Sequence, residues 1–513
     1  MHTRLTFFSV LLALLSLMAC LVGQGCESSA NGGNRPRKTN STPTNPTPTN
    51  SEDISIETGD TAAVPTSCIN EADSPGLVTS IIVQDKVTHT SLHNTAKYLV
   101  TQNKQGIFFT YSPKRYESDL EGGEVSVEGS ETVWRLMKVN PDCQGFTQLF
   151  EETCKICNAP AVESDDDGNL FLANGDPDSA NWSLAGPRDA RLFKFLASSG
   201  YKNPEIFSIP KGNSDKFRLV YDKAKKKLFY YNYNEQPKID PRKIFSFYSI
   251  SLDGTIESSI PLNGKGDTAR IMYPHLAVDD SRVVAIWHTE RGGISTTEPR
   301  LYRNISFIYS DDSGLSWKNF SGAPTQYPVI NDNRGPGTMV TLKEEEGDHN
   351  WLGDAVLKNN KLHISYQIWG VMHPGNKTHY VRYNFENGTR DVDIQPDWNG
   401  IAGQGHFVND RRSPNGPIYI VSTKNSNGGS VLAVLISSDE GKTWQPFAEG
   451  QLLAGDPDVL DTIQTLHEVT SDGYIVGLYS RCNARPEIGR CGTYVNGQWI
   501  YDSRAYFFKV KAK

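Results

Sequence analysis

The sequence runs to 513 residues, 37% apolar and 10% aromatic, with 44 Gly and 28 Pro against only 6 Met, and a formal net charge of -8. That is too much chain for one ordinary core and too little hydrophobe for a polytopic membrane protein. The acidic balance argues against sequence-independent binding to nucleic acid, which needs a basic surface, but leaves room for a local basic pocket. Glycine and aromatic richness with few methionines favours many short strands and turns over helical bundles.

At the start of the chain, Arg4 precedes an apolar run from Leu5 to Val22, broken only by Thr6, Ser9, Ser16 and Cys20. This reads as the core of a signal peptide, and no other segment is long and apolar enough to span a bilayer, so export is expected. Two cysteines stand where a bacterial lipoprotein is cut and lipidated. Cys20, after Leu17-Met18-Ala19, has the better local lipobox, whereas Cys26, after Gly23-Gln24-Gly25, opens a polar tail. Cleavage before Cys26 leaves six further cysteines, an even set suited to disulfides outside the cytoplasm. The reading is therefore a lipoprotein-type signal peptide over 1–25 with lipidation on Cys26, plain signal-peptidase cleavage being the alternative. Residues 26–75 are rich in Ser, Thr, Asn and Pro, as in Thr42-Pro43-Thr44-Asn45-Pro46-Thr47-Pro48-Thr49. Such a segment cannot bury enough apolar surface to offset its ordering entropy and reads as a tether. Contact with a membrane is expected through the lipid anchor only.

Residues 76–513 carry a two-part repeat. A turn first leads into an apolar alternation, starting at Gly106, Gly168, Lys227, Arg282, Lys361, Pro417 and Gly473, and each reads as a strand. A second turn follows at Gly145, Gly200, Gly254, Gly314, Gly388, Gly441 and Gly497, with successive periods of 55, 54, 60, 74, 53 and 56 residues. A period near this length built only of strands is the signature of propeller blades. The fold class is all-β: a β-propeller of four-stranded antiparallel blades, seven by this count, with six as the other possibility.

Two of the second turns, Ser310-Asp311-Asp312-Ser313-Gly314-Leu315-Ser316-Trp317 and Ser437-Ser438-Asp439-Glu440-Gly441-Lys442-Thr443-Trp444, fit S-x-D-x-G-x-S/T-W. Asn384-Phe385-Glu386-Asn387-Gly388 keeps the spacing with other side chains. The residue types suit a hairpin: Ser and Asp oxygens accept backbone N–H groups, Gly supplies positive φ, and Trp buries a large ring. The pattern resembles the Asp-box, or bacterial neuraminidase repeat, of sialidase-like propellers. Tyr273-Pro274-His275-Leu276-Ala277-Val278-Asp279, Ala285-Ile286-Trp287 and Ile308-Tyr309-Ser310-Asp311 are similar to successive strands of one such blade, and Cys157 to Asp165 begins another in the same way. The resemblance implies a protein that cleaves sialosides, cleaves other glycans, or only binds them. Ser310, Asp312, Gly314, Trp317, Ser437, Asp439, Gly441 and Trp444 are then structural, because box turns lie at the blade periphery.

Chemistry is expected where the innermost strands begin, around the central channel. Aligning Pro160, Pro274, Gly353 and Gly405 makes Ala161, His275, Asp354 and His406 equivalent. Blades four, five and six can thus present His, Asp and His at one level, as a general acid and base or as a metal site with an open position. The bland alternative turns these residues into the blade interior as satisfied polar groups. Glu290 and Tyr302 complete the catalytic candidates. Arg270, Arg291, Arg303, His288, His349 and Trp351 are the substrate-binding candidates, and Arg411, Arg412 and Arg481 could add cationic contacts; arginine suits bidentate capture of a sugar carboxylate.

Sialidases of this resemblance hold the substrate carboxylate with three arginines, the first in an R-I-P motif opening blade one. Here that blade reads Ser91-Leu92-His93-Asn94-Thr95-Ala96, and Arg270-Ile271-Met272-Tyr273-Pro274 is only a stretched echo in blade four. Seven-bladed relatives include lyases of uronic-acid polysaccharides that rely on His, Tyr and Arg, and His275, His406, Tyr302 and Arg303 are compatible with that chemistry. Asp165-Asp166-Asp167 could wrap Ca²⁺ or form a hairpin turn. Gly175-Asp176-Pro177-Asp178 and Gly455-Asp456-Pro457-Asp458 offer paired carboxylates or turns, and Cys154-Lys155-Ile156-Cys157 has metal-ligand spacing without a second such pair. Cys482 and Cys491 are placed to staple the last hairpin. The expectation is a monomeric surface protein that binds an extracellular glycan, with or without cleaving it by hydrolysis or elimination; the other reading is a non-catalytic binding or scaffold propeller.

Overall fold

The structure, a computed structural model, describes residues 73–513 apart from 88–91, 93–97, 115–131, 155–158, 175–188, 212–215, 235–243, 265–268, 280–281, 292–300, 331–336, 371–375, 397, 399, 403–404, 427–428, 453–455, 458, 486–489, 492–493, 496–497 and 500–502. Seven antiparallel blades of four strands are arranged as a β-propeller, with a short fifth strand, Val329–Ile330, added in parallel to blade three. Helix is limited to two 3-10 segments among the described residues, Ala197–Ser199 and Lys343–Gly347. The first strands of blades one to seven are Val100–Asn103, Ala161–Ser164, Phe217–Asp222, Ala269–Asp279, His349–Lys358, His406–Asn409 and Val459–Thr465. From blade one through to blade seven, each packs against the first strand of the next, which makes them the innermost strands.

Blade seven is closed by the two ends of the folded chain. Its strands Val459–Thr465, Tyr474–Cys482 and Ser503–Lys511 are completed by Val78–Val87, whose Val78 faces Val510 and whose Ile82 faces Tyr506. The expected seventh turn at Gly497 lies outside the described residues, and the outer strand of this blade comes from residue 78 onward instead. Pairing the first strand with the last closes the ring and removes a sheet edge that would otherwise expose unpaired N–H and C=O groups.

There is no single core. Seven apolar clusters fill the interfaces between neighbouring blades, one in each. Strand periodicity explains the partition: Phe229 and Tyr231 enter the blade three–four cluster, while Leu228 and Tyr230 on the other face of the same strand enter the two–three cluster. The repeat therefore buries its apolar residues by stacking, and no blade is stable alone.

The S-x-D-x-G-x-S/T-W turns form hairpins that staple blades together. The Gly314 N–H donates to Ser310 Oγ at 2.7 Å, the Ser310 hydroxyl donates to Asp312 Oδ1 at 2.7 Å, and the Ser316 N–H donates to Asp312 Oδ1 at 2.8 Å. The second turn repeats this with Gly441, Ser437, Asp439 and Thr443. Trp317 packs edge-on to Phe247 of blade three, and Trp444 edge-on to Tyr380 of blade five. Gly314 and Gly441 have φ of +88° and +87° and lie directly on those two rings. The longest period, between Gly314 and Gly388, is an insertion that docks on blade five through Glu345, whose carboxylate accepts from the Leu342 N–H and the Tyr366 hydroxyl.

Candidate functional site

Every blade contributes one residue on or next to its inner strand to an interacting group: Tyr98, Glu163, Arg218, His275, Asp354, His406 and His467. The aligned trio does meet. His275 Nε2 lies 2.6 Å from Asp354 Oδ1, and His406 Nδ1 lies 3.8 Å from Asp354 Oδ2. The Phe407 N–H donates to Asp354 Oδ2 at 2.9 Å. Ala161, the fourth aligned residue, is instead packed between blades two and three, and Glu163 holds blade two's place in the group.

Arg218 joins them from blade three. Its Nη2 is 3.0 Å from His275 Nε2 and 3.5 Å from Asp354 Oδ1, and its guanidinium carbon sits 3.3 Å from the centre of the Tyr98 ring, a cation–π contact. Burial alone would raise the Asp354 carboxyl, but the hydrogen bond from His275 and the Arg218 guanidinium hold it well below the usual carboxylate range. Burial, with Arg218 alongside, holds His275 down at about 4 against the opposing pull of Asp354. The ring is therefore neutral at pH 7, and of the two contacts at Nε2 the shorter, 2.6 Å to the carboxylate against 3.0 Å to the Arg218 donor, assigns the proton to Nε2. Nδ1 is left as a lone pair with no protein partner among the described residues. Burial pushes Glu163 up to about 8, against Arg218.

A pocket opens from this cluster between blades four and five, lined by Tyr273, Pro274, His275, His288, Trp351, Leu352 and Gly353. Both inner strands bulge here, between Met272 and His275 and between Leu352 and Asp354, and Tyr273 has φ of 52°. Bulges re-aim side chains, and Tyr273 and Trp351, next to these two, line the same pocket. His288 is buried; its Nε2 accepts the Leu352 N–H at 2.8 Å, so its ring proton sits on Nδ1, which has no partner among the described residues. Burial, with His349 and His275 adding to it, keeps this imidazole neutral, at about 3. The Tyr273 and Tyr302 hydroxyls are 3.2 Å apart, and burial followed by the Tyr273 contact raises Tyr302 far above the ordinary phenol value. His349, Trp351 and Trp369 extend the wall towards solvent.

The structure thus gathers His275, Asp354 and His406 at the axis, and His288, Tyr302, His349 and Trp351 around the pocket. Glu290 is buried opposite Tyr302 in strand register. The Arg303 carbonyl accepts from Asn350 at 2.8 Å. Arg270 and Arg291 stand in the paired strands of blade four, but their side chains lie outside the described residues, as does Cys26. The other arginines are committed elsewhere: Arg411 to Glu468 at 3.1 Å, Arg412 to Asp410 at 2.7 Å, and Arg481 to the carbonyls of Pro457 and Ser430.

Among the described residues no three His, Cys, Asp or Glu are grouped to hold a metal ion. In the channel the Arg218 guanidinium stands against the very groups a metal would need. Asp165 spends both oxygens on Asn169, as a hairpin turn does. Asp456 accepts from the Tyr506 hydroxyl, while Asp458 and the Gly175–Asp178 stretch lie outside the described residues, as does Cys157. Cys143 and Cys482 are each disulfide-bonded.

Sequence reasoning missed Tyr98, Glu163, Arg218, His467 and Trp369. The place of Arg218 follows from strand register. Counting four residues on from Lys227, Arg282, Lys361 and Pro417 reaches Tyr231, Ile286, Ser365 and Val421, whose cross-strand partners are Arg218, His275, Asp354 and His406. Alignment on the first strand had no Pro or Gly to mark this position in blade three.

No family model matches the chain, and no curated protein matches its sequence. Solved structures similar to it include an ulvan lyase of polysaccharide lyase family PL25, bound to a saccharide containing GlcA. The two are 12% identical over 85% of this chain and 96% of that one, with a TM-score of 0.56. An α-L-arabinofuranosidase from Fusarium graminearum is 12% identical over 68% of this chain and 91% of its own, with a TM-score of 0.39. At these identities, the likeness to the ulvan lyase speaks for a shared propeller fold.

Proposed function

We propose that this chain is an exported, surface-tethered propeller that processes an extracellular glycan by elimination at a uronate, in the pocket between blades four and five. One observation carries the reading: His275 and His288, each with a buried Nδ1 that has no hydrogen-bond partner among the described residues, line a single pocket beside the Tyr273–Tyr302 phenol pair. Elimination needs a base for the proton next to the carboxylate, a donor to hold the carboxylate, and an acid for the departing oxygen. His275 Nδ1, oriented by Asp354, takes the proton, and His288 Nδ1–H bonds the substrate carboxylate. The electron pair of the broken C–H bond forms the C=C bond as the bond to the glycosidic oxygen breaks, and the Tyr302 phenol protonates that oxygen. Hydrolysis by paired carboxylates has less support, since no carboxylate is among the described residues that line the pocket.

The likeness of fold to an ulvan lyase solved with a GlcA-containing saccharide supports the same substrate class. The box turns support a place among Asp-box propellers. The apolar run before Cys26 and the polar segment after it support lipidation there, which labelling with an alkynyl fatty acid checks: signal kept in Cys20→Ala and lost in Cys26→Ala. The function itself is tested by incubation with alginate, polygalacturonate, hyaluronan and ulvan, following the ultraviolet absorbance of the unsaturated uronate, with sialosides as a parallel panel. Product is expected from at least one uronate polymer, with kcat lowered about 10²- to 10⁴-fold in Tyr302→Phe. Sialoside cleavage, no turnover of any polymer, or full activity in Tyr302→Phe overturns it; binding without turnover favours the non-catalytic propeller.

A further inference from the structure

We propose that His349, Trp351 and Trp369 form a stacking subsite for a pyranose ring of the glycan next to the unit held in the pocket. This deepens the glycan reading above and rests on it for the identity of the ligand, though not for the chemistry of His275, His288 or Tyr302.

His349 and Trp351 are two residues apart on the inner strand of blade five and so share a face, and Trp369 stands directly opposite His349 on the neighbouring strand. Their rings are close to parallel. Trp351 and Trp369 are 11° apart with centroids at 6.3 Å, and His349 lies 15° from Trp351 and 25° from Trp369. Tryptophans that serve the blade interfaces pack otherwise: Trp317, Trp444 and Trp134 meet their neighbours edge-on at 80°, 74° and 69°. The three near-parallel rings form one aromatic group, the shelf, beside the pocket and not at a blade interface.

The shelf is also open. Trp369 is 41% exposed and is the only exposed tryptophan among the described residues. Trp351, at the inner end, lines the pocket and touches Tyr273 and Tyr302 at centroid distances of 5.0 and 5.2 Å. The surface is thus continuous from the proposed reaction pocket to solvent. A pyranose suits it, since one face of the sugar is rich in C–H groups that an aromatic plane can bury while the hydroxyls at the rim stay in water. His349 suits it as well, because burial lowers its pKa, so the ring stays uncharged at neutral pH and stacks without desolvating a cation.

The test is native affinity electrophoresis in gels carrying alginate, polygalacturonate, hyaluronan or ulvan, with the chain's oligomeric state read by size exclusion. The parent is expected to be retarded by at least one polymer. Trp369→Ala weakens that binding about ten-fold, and Trp369→Phe restores part of it. Where turnover is measurable, Trp369→Ala raises KM and leaves kcat nearly unchanged. If no polymer yields product but retardation still depends on Trp369, the shelf stands and the elimination reading falls. Retardation of Trp369→Ala equal to the parent's overturns the shelf, as does a parent retarded by no polymer, or a Trp369→Ala effect confined to breaking a dimer.

Discussion

An Asp354→Asn substitution keeps the size of the side chain and removes its charge. In the native protein the carboxylate meets His275 Nε2 at 2.6 Å, Arg218 Nη2 at 3.5 Å and the Phe407 N–H at 2.9 Å, and the Arg218 and Asp354 side chains are each 2% exposed. The amide oxygen of Asn can still accept from Phe407, so that bond survives. Arg218, however, stays stacked on Tyr98 with no counter-charge. At this separation and an effective dielectric constant near 20, the lost attraction is about 5 kcal/mol. The weakened bond from His275 adds about 1–2 kcal/mol, while relaxation and entering water return part of the sum. A net loss of about 3–5 kcal/mol is expected, as for other buried pairs deprived of one partner. Equilibrium urea unfolding followed by tryptophan fluorescence measures it. Arg218→Met with Asp354→Leu, which removes both charges together, should cost much less than Asp354→Asn alone. A loss below about 1 kcal/mol in Asp354→Asn, or a double variant worse than the single, would refute the claim that Asp354 is the buried counter-ion of the axis.

Glycine at the blade turns gives a second comparison. A Cβ on Gly441 would lie 1.7 Å from the Tyr380 hydroxyl oxygen at φ +87°, whereas one on Gly388 meets nothing within 4 Å at φ +68°. Gly441→Ala should therefore cost about 2–4 kcal/mol and Gly388→Ala about 1 kcal/mol, and equal shifts in melting temperature would contradict this. Stability should also fall with acid. His275, His288 and His363 are held at about 4, 3 and 3 chiefly by burial, so below pH about 6.5 the unfolded chain takes up protons that the folded one refuses. Each can cost on the order of 3 kcal/mol, present above the unfolded value and lost as pH falls through the folded one. Glu163, raised to about 8, has the opposite sign: its contribution is full below about 4.3 and is lost as pH rises towards 8. Urea midpoints that stay level between pH 7 and 4 would show that the buried histidines are hydrated.

Much of the architecture was legible in the sequence because a propeller writes its period into the chain. Turn residues at Gly145, Gly200, Gly254, Gly314, Gly388 and Gly441 sit where the chain leaves the third strand of a blade, and the apolar alternation between them faces two neighbours at once. The box residues were legible for the same reason: Ser, Asp, Gly and Trp at fixed offsets act within one hairpin. His275, Asp354 and His406 were reachable by aligning blades. Arg218 was not, because no turn residue marks its strand, and its role comes from the antiparallel register with Tyr231. Trp369 gave no local sign, since what distinguishes it is exposure and the plane of its ring.

Local spacing alone thus determined the strand content, the blade period, the hairpin chemistry of the boxes and the alignment that groups three members of the axial cluster, while seven blades in place of six was decided by the structure. These depend on interactions within a few residues or on a period repeated along the chain. Tertiary structure decided the rest: closure of the ring by Val78–Val87 against Ser503–Lys511, the bulges at Tyr273 and Gly353, and the neutral states of His275 and His288. Each of those depends on what residues distant in sequence leave beside a group: a carboxylate at Nε2, a backbone N–H on the neighbouring blade, or no water at all.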